Sequence, residues 1–248
     1  MPIQAIIMAA GLGSRLKDLT EATPKALIEV GGRPLIDYAL AFARACGADH
    51  RIVVGGFCHA DVAARVALTA SDAAIVENTE FRKGNLVSMQ TGRTALRPGG
   101  FLLMNTDHVY RPTIATVVAE ACRTAEDSAT VTAFCDFDRP LGADDMKVTL
   151  DSSRRVAEMA KTLPTWDCGY VGMTYVPAAR LEEYFAAAAH VLTEKGDASH
   201  VESILVALAQ RGLAPRIADI SGHGWLEIDE PHERAHANGV LERERWWD

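Results

Sequence analysis

A short apolar run, Ile3–Met8, leads straight into Ala9-Ala10-Gly11-Leu12-Gly13-Ser14-Arg15-Leu16, and Thr23-Pro24-Lys25 follows soon after. A strand that opens into a glycine-bearing loop lets backbone N–H groups approach a phosphate closely. Arg15 and Lys25 then supply charge to neutralise it. No Gly-Lys-Ser/Thr follows at the spacing of a P-loop. Leu16 takes the third glycine position of the dinucleotide fingerprint, which excludes that motif too. What remains is a loop that wraps a nucleoside triphosphate through Ala10, Gly11, Gly13, Ser14 and Arg15, with Lys25 reaching back to the phosphates.

Apolar runs alternate with helical spacings through the first half. Ile3–Met8, Arg51–Gly55, Ala74–Glu77, Phe101–Met104 and Ala129–Cys135 read as strands; Leu35–Cys46, Ala60–Leu68, Leu86–Arg97 and Thr113–Arg123 read as helices. This alternation predicts an α/β fold, Rossmann-like, with a mostly parallel sheet and helices on both faces. The second half is less regular. Lys147–Leu150 and Arg155–Glu158 flank Asp151-Ser152-Ser153 as a hairpin. Gly169–Val176, Arg216–Ile220 and Trp225–Ile228 are strands, Ala178–Leu192 and Val201–Gln210 helices, and Pro231–Arg243 a last helix with proline in its first turn. Thr193–His200 is either a surface turn or a flexible segment. A length of 248 residues at 48% hydrophobic content suits one domain spanning 1–248.

The net charge of −8 argues against a nucleic-acid partner, so substrate phosphates need a local cluster of Arg and Lys. Five scattered cysteines with no Cys-x-x-Cys pair argue against zinc and for reduced thiols in a cytoplasm. The apolar start meets glycine with no basic leader, so no signal peptide is expected. No run approaches the roughly 18–20 apolar residues that cross a bilayer. The terminal Glu242–Asp248 stretch, with Trp246-Trp247, reads as an interface or a frayed tail, and the oligomeric state is not legible.

Phe101–Met104 delivers Asn105-Thr106-Asp107-His108 at its carboxyl end, where α/β sheets place ligands. A hard divalent cation on a triphosphate needs carboxylate oxygen, which Asp107 offers. Its competing role is to cap the next helix, although Pro112 and Thr113 make a better helix start. In Trp225-Leu226-Glu227-Ile228-Asp229, strand alternation puts Trp225, Glu227 and Asp229 on one face. An acidic face of that kind suits a cation or an amine; Asp229 can instead cap the last helix. Asn85 and Ser88 lie in a polar loop entering a helix, which Asn85 can cap.

The string from Ala9 to Leu16, with Leu19-Thr20 and Thr23-Pro24-Lys25, resembles the nucleotidyltransferases that join a nucleoside triphosphate to a phosphorylated sugar, polyol or alcohol. The chain departs from that family at Asp18, where a proline is common. The resemblance runs the length of the chain and is strongest to the inositol-1-phosphate and phosphocholine-type cytidylyltransferases. It rests there on Leu103–Tyr110, Lys161–Asp167 and Gly84–Ser88. It implies a GT-A-like fold, with 1–135 mainly binding nucleotide and 136–248 mainly binding acceptor. It also implies CTP as donor, with Asn85 and Ser88 as suitable readers of the donor and acceptor edges of its pyrimidine, Thr106 in the nucleotide set, and Mg²⁺ on Asp107 and Asp229. Lys161, with Lys147 as a second candidate, is aimed at the acceptor phosphate; Trp166, Asp167 and Glu227 lie around the acceptor. A lone lysine is otherwise an ordinary surface charge. The resemblance favours inositol 1-phosphate as acceptor. Alternatives are phosphocholine or 2-aminoethylphosphonate, a hexose-1-phosphate uridylyltransferase, and a nucleotide-sensing module without catalysis. A choline pocket would draw on Trp166, Tyr170, Trp225 and Glu227; a polyol pocket would draw on Thr165, Asp167 and Glu202.

Overall fold

The computed structural model describes residues 3–247, without the side chains of Lys17 and Asp18. The Asp18 departure and the final Asp248 therefore lie outside the described residues. In chain order the elements are β1 (Ile3–Ala9), β2 (Glu29–Val30), β3 (Arg33–Pro34), α1 (Leu35–Ala45), β4 (Ala48–Gly55), α2 (His59–Thr69), β5 (Ala74–Glu77), α3 (Asn85–Arg93), β6 (Phe101–Asn105) and β7 (His108–Tyr110). Then come α4 (Pro112–Ser128), β8 (Thr132–Asp136), β9 (Lys147–Leu150), β10 (Val156–Ala160), β11 (Cys168–Val176), α5 (Leu181–Lys195), α6 (Glu202–Gln210), β12 (Arg216–Asp219), β13 (Trp225–Glu227) and α7 (Pro231–Glu244).

Every residue of β1 is buried, so it needs cover on both faces and sits inside the sheet. Its side chains alternate between two cores. Ile3, Ala5, Ile7 and Ala9 pack with residues of α1, α2 and α4, such as Ile36, Val62 and Ile114. Ile6 and Met8 pack with α3, α5 and α6 through Leu86, Tyr184 and Ile204. The helices thus cover both faces, as the βα alternation predicts.

A nine-stranded sheet runs in the order β10-β9-β11-β6-β1-β4-β5, with β8 on β11 and β12 on β8. β1, β4, β5 and β6 are parallel; β11 enters against β6, β8 and β9, and β10 against β9. With β12 parallel to β8, only β10 and β11 oppose the other strands. The sheet is mixed but mostly parallel in direction.

Several element ends differ from the sequence reading. The helix expected over Leu86–Arg97 stops at Arg93, because Gln4 on β1 clamps Arg97 through both of its backbone polar groups, at 2.8 and 2.9 Å. The helix expected over Thr113–Arg123 runs on to Ser128 and closes on Ala129 in the left-handed conformation. The hairpin β2–β3 has only two residues in each strand, and β7 falls in a stretch with no apolar alternation. β7 forms only by pairing with β13, far along the chain. Of the segment Thr193–His200, the first three residues complete α5 and the rest is an anchored turn: Asp197 and Ser199 carbonyls accept from Gly84 and Leu86. All five cysteines are free thiols. No helix among the described residues is long and apolar enough to cross a membrane.

Candidate active site

The carboxyl ends of β1 and β6 open side by side, tied by the Thr106 hydroxyl donating to the Met8 carbonyl at 2.9 Å. Above them the loop after β1 folds down on the stem of Lys25. Gly13 has φ +65°, and a Cβ there would come within 2.8 Å of the Lys25 Cβ. Only glycine meets both conditions, which explains its place in the loop.

Lys25 is buried and its ammonium donates to both Asp107, at 2.7 Å, and Asp229. Arg15 reaches the other Asp229 oxygen at 2.6 Å and Asp144 at 3.0 Å. Burial works against the Lys25 charge, but Asp107 and Asp229 outweigh it and raise its pKa. Burial would likewise raise Asp107; Lys25 and His108 overcome this and hold its carboxyl well below the usual range.

β13 pairs antiparallel with β7, setting Glu227 opposite His108, and the Ile228 amide donates to the Asp107 carbonyl at 2.9 Å. This pairing joins the two distant carboxylates. β13 ends at Glu227, so Asp229 lies past the strand rather than on its face. It does not cap α7: Glu230 does so, in a capping box with Glu233. The Asp229 carboxylate is thereby left to Lys25 and Arg15. Asp107 does not cap a helix either, since Arg111 precedes α4.

His108 sits 2.6 Å from Asp107 through Nδ1 and stacks on Trp225 at 5.1 Å. Burial pulls its pKa down, yet Asp107 and Glu227 raise it overall. Trp225 is fixed from behind by its indole N–H donating to Asp136 at 2.9 Å. Burial alone would raise the Asp136 pKa, but hydrogen bonds at Asp138, from Trp225 and from the Arg139 amide hold it below the ordinary value. A depressed carboxylate stabilises the fold above its unfolded pKa and loses that contribution as pH falls through the folded one. Asp136→Asn should therefore cost about 1–3 kcal/mol at neutral pH. Chemical denaturation of both proteins down to about pH 3, below the unfolded aspartate value, should show the gap narrowing; a constant gap would refute this role.

Two cavities meet at Asp107. One, about 180 Å³, is lined by Ala10, Gly11, Lys25, Asn85, Ser88 and Thr106, with Phe81, Lys83 and Asn105 among the others. The second, about 310 Å³, is lined by Arg15, Lys161, Glu227 and Asp229, together with Asp144, Tyr170, Gly172, His200 and Glu202. Asn85, Asn105 and Asp107 line both. Asn85 is not a helix cap; its side-chain carbonyl accepts from the Val201 amide at 2.9 Å and ties α3 to the start of α6. Ser88 is held by Asn78 at 3.0 Å. Ser14 is exposed at the start of the turn above the cleft.

Lys147, Trp166 and Asp167 are not brought into the cleft. Lys147 is buried, with its ammonium committed to the carbonyls of Gly142, Asp145 and Lys161. Trp166, 44% exposed, lies over that ammonium at 5.2 Å. Asp167 accepts from the Leu150 amide at 2.8 Å and pins β9. These three brace the segment that carries Lys161. Lys161 keeps an ammonium that makes no ion pair among the described residues. Asp144 and His200 gave no local signal. Gly172 lies inside β11 with φ +71°, where a Cβ would come within 3.0 Å of both Asn105 and His108. A glycine interrupting a strand pattern was the one available hint.

No group of three or more His, Cys, Asp and Glu gathers as a metal set among the described residues. Asp107 and Asp229 nevertheless fit a hard cation such as Mg²⁺, which takes one or two carboxylates and draws its other oxygens from substrate phosphates and water.

Residues 5–226 match the MobA-like NTP transferase domain family. The CMP-5′-(3-aminopropyl)phosphonate synthase of Streptomyces rubellomurinus is 28% identical over 96% of this chain and 38% of its own length. The choline-phosphate cytidylyltransferase of Streptococcus pneumoniae is 47% identical over 22% of this chain and 24% of its own length. The matches thus span less than half of these curated relatives. The inositol-1-phosphate CTP transferase structure from T. maritima superposes with a TM-score of 0.78 at 19% identity, covering 96% of each chain, and attests the shared fold. With the family match running across most of its length, this chain belongs to the MobA-like NTP transferase domain family.

Proposed function

We propose that the protein transfers a cytidylyl group from CTP to a small molecule bearing a phosphate or phosphonate, releasing pyrophosphate. The observation that carries this reading is the pair of cavities that adjoin at Asp107, with Lys25 on one side and Lys161 on the other. The nucleotide side is lined between Met8 and Asp107, in keeping with a nucleotide-binding first half and an acceptor-binding second half.

The chemistry needs no nucleophilic side chain. An oxygen of the acceptor's phosphate attacks the α-phosphorus, the bond from that phosphorus to the bridging oxygen breaks, and pyrophosphate departs. Lys161 holds the attacking anion. Arg15 and Lys25 neutralise the leaving phosphates, and the backbone of the Ala10–Gly13 loop orients them. Asp107 and Asp229 are the residues that would hold Mg²⁺, which when bound supplies Lewis-acid charge to phosphate oxygens. His108, set by Trp225, keeps the Asp107 carboxylate in place.

Resemblance alone favours inositol 1-phosphate. The carboxylates on the acceptor side favour an amine-bearing acceptor instead. Glu202 lines that cavity without an ion pair among the described residues, and burial raises its pKa. Of the aromatics a choline pocket would draw on, Tyr170 lines it but Trp166 and Trp225 do not, and one ring does not make a cage for choline. An aminoalkyl phosphate or phosphonate places its ammonium on Glu202 and its anion on Lys161.

Asn85 and Ser88 read the base in this account. A fixed acceptor facing the cytosine amino group leaves uracil opposite an unpaired lone pair, worth ~1–3 kcal/mol or roughly 5- to 150-fold. Competition at equal CTP and UTP should therefore yield mainly the CDP-linked product. Equal incorporation, or a UTP preference, would overturn the base assignment and point to a uridylyltransferase. A chain that binds nucleotide and gives neither product would be a sensing module.

A further inference from the structure

Away from the catalytic cleft, a cavity of about 280 Å³ opens where the β9–β10 turn meets the first residue of β12. Its polar lining is three arginines, Arg154, Arg155 and Arg216, and three hydroxyls, Ser128, Thr130 and Ser153, with no carboxylate. This occurs in a chain whose net charge is −8. The neighbouring Asp151 carboxylate is engaged locally by the Ser153 and Arg155 amides, at 2.8 and 3.0 Å.

The arginines are arranged against their own repulsion. Arg155 and Arg216 face each other across an isolated antiparallel bridge, a placement in which like charges destabilise a sheet. Arg155 donates to the Ala214 carbonyl at 3.2 Å. Arg154 lies over the Phe137 ring at 5.5 Å. Among the described residues, neither Arg154 nor Arg216 has an acidic partner. Arg154 also takes φ +56°, where glycine or asparagine is the low-cost choice. An anion between the guanidiniums removes the repulsion and takes up their unused donors in the forked geometry that arginine offers phosphate.

A groove of about 400 Å³ adjoins this cavity and shares Thr130 and Arg155 with it. Val131, Leu208 and Leu213 give it apolar walls, and Asp151 and Arg180 also line it. An anion pocket continuous with an apolar groove fits a phosphate carried on a small organic body. We infer that this is a second ligand site, for a phosphomonoester such as a nucleotide. Its phosphate rests on Arg154, Arg155 and Arg216, and its organic part lies in the groove. The site is separate from the catalytic cleft: Glu202, at the start of α6, lines that cleft, while Leu208 and Ala209, near the end of the same helix, line the groove.

The test is calorimetric titration of the full chain with 5′-CMP and with inorganic phosphate, in a Lys25→Met background that weakens the catalytic site. Binding rather than turnover is read, so the outcome does not depend on the proposed activity. The Lys25→Met chain should still bind one CMP. Adding Arg154→Gly and Arg216→Thr should weaken that binding at least about 100-fold, roughly tenfold or more for each charge-assisted contact. Glycine suits the positive φ and threonine suits a strand, so the melting temperature should stay at or above that of the parent. Phosphate should bind at the same residues and more weakly than CMP. Binding of CMP that ignores the two arginine substitutions, or no binding of either probe to the Lys25→Met chain, would overturn the inference. Equal affinity for phosphate and CMP would overturn the part played by the groove.

Discussion

Lys25→Met should lower kcat/KM for CTP by about 10²- to 10³-fold, with a smaller effect on the acceptor KM. Methionine keeps an aliphatic stem against Gly13 but removes the charge that Asp107 and Asp229 share. Removing one partner of a buried ion pair costs ~3–5 kcal/mol, because the remaining charges lose their compensation. The two carboxylates retain 23% and 15% of their side-chain exposure, so water and Arg15 recover part of that and the lower end applies. The same substitution should lower the melting temperature, since Asp107 then faces only His108. Steady-state kinetics in both substrates check the assignment. A variant that loses acceptor affinity while its CTP dependence is unchanged would place Lys25 on the wrong side of the site.

Asp107→Asn should be at least as damaging to turnover. Asp107 lines both cavities, and its carboxylate accepts from Lys25 at 2.7 Å and pairs with His108 at 2.6 Å. An amide is close in size but carries no charge, so the charge-assisted contacts and the hard-cation ligand are lost together. At ~1.5–3 kcal/mol for each charge-assisted bond, turnover should fall about 10²- to 10⁴-fold. The Mg²⁺ concentration for half-maximal rate should rise in the residual activity. Near wild-type turnover at saturating Mg²⁺ would remove Asp107 from the ligand set. Far-ultraviolet circular dichroism should remain native, because the β6 backbone does not depend on that charge.

Much of this site is legible in short stretches of sequence. Gly13, Arg15 and Lys25 fall within one loop and the turns that follow it, and Asp107 ends an apolar strand. Such features are local: a glycine with positive φ, a proline-fixed turn, a carboxylate at a strand end. The two-faced burial of β1 is likewise visible as an apolar run broken only by Gln4. What escaped depends on distant pairing. β7 exists only because β13 binds it, and that pairing, not strand alternation, carries Asp229 to Lys25. Lys147 and Lys161 look equivalent as lone lysines. Folding separates them, burying one ammonium among three carbonyls and leaving the other in the cleft. The helix end at Arg93 escaped for the same reason, because the Gln4 clamp acts from the other end of the domain's first strand.

The account stands most directly on one reaction followed by ³¹P nuclear magnetic resonance: protein, Mg²⁺, CTP and 2-aminoethylphosphonate in one tube, with inositol 1-phosphate in a second. Transfer to the acceptor predicts that the CTP signals fall while pyrophosphate and a coupled pair from the new phosphorus–oxygen–phosphorus linkage grow in equal amounts. The rate should be higher for the amine-bearing acceptor, and both signals should vanish with Asp107→Asn. CTP that stays intact with both acceptors, or decays to CMP without a coupled product, would contradict nucleotidyl transfer at this site.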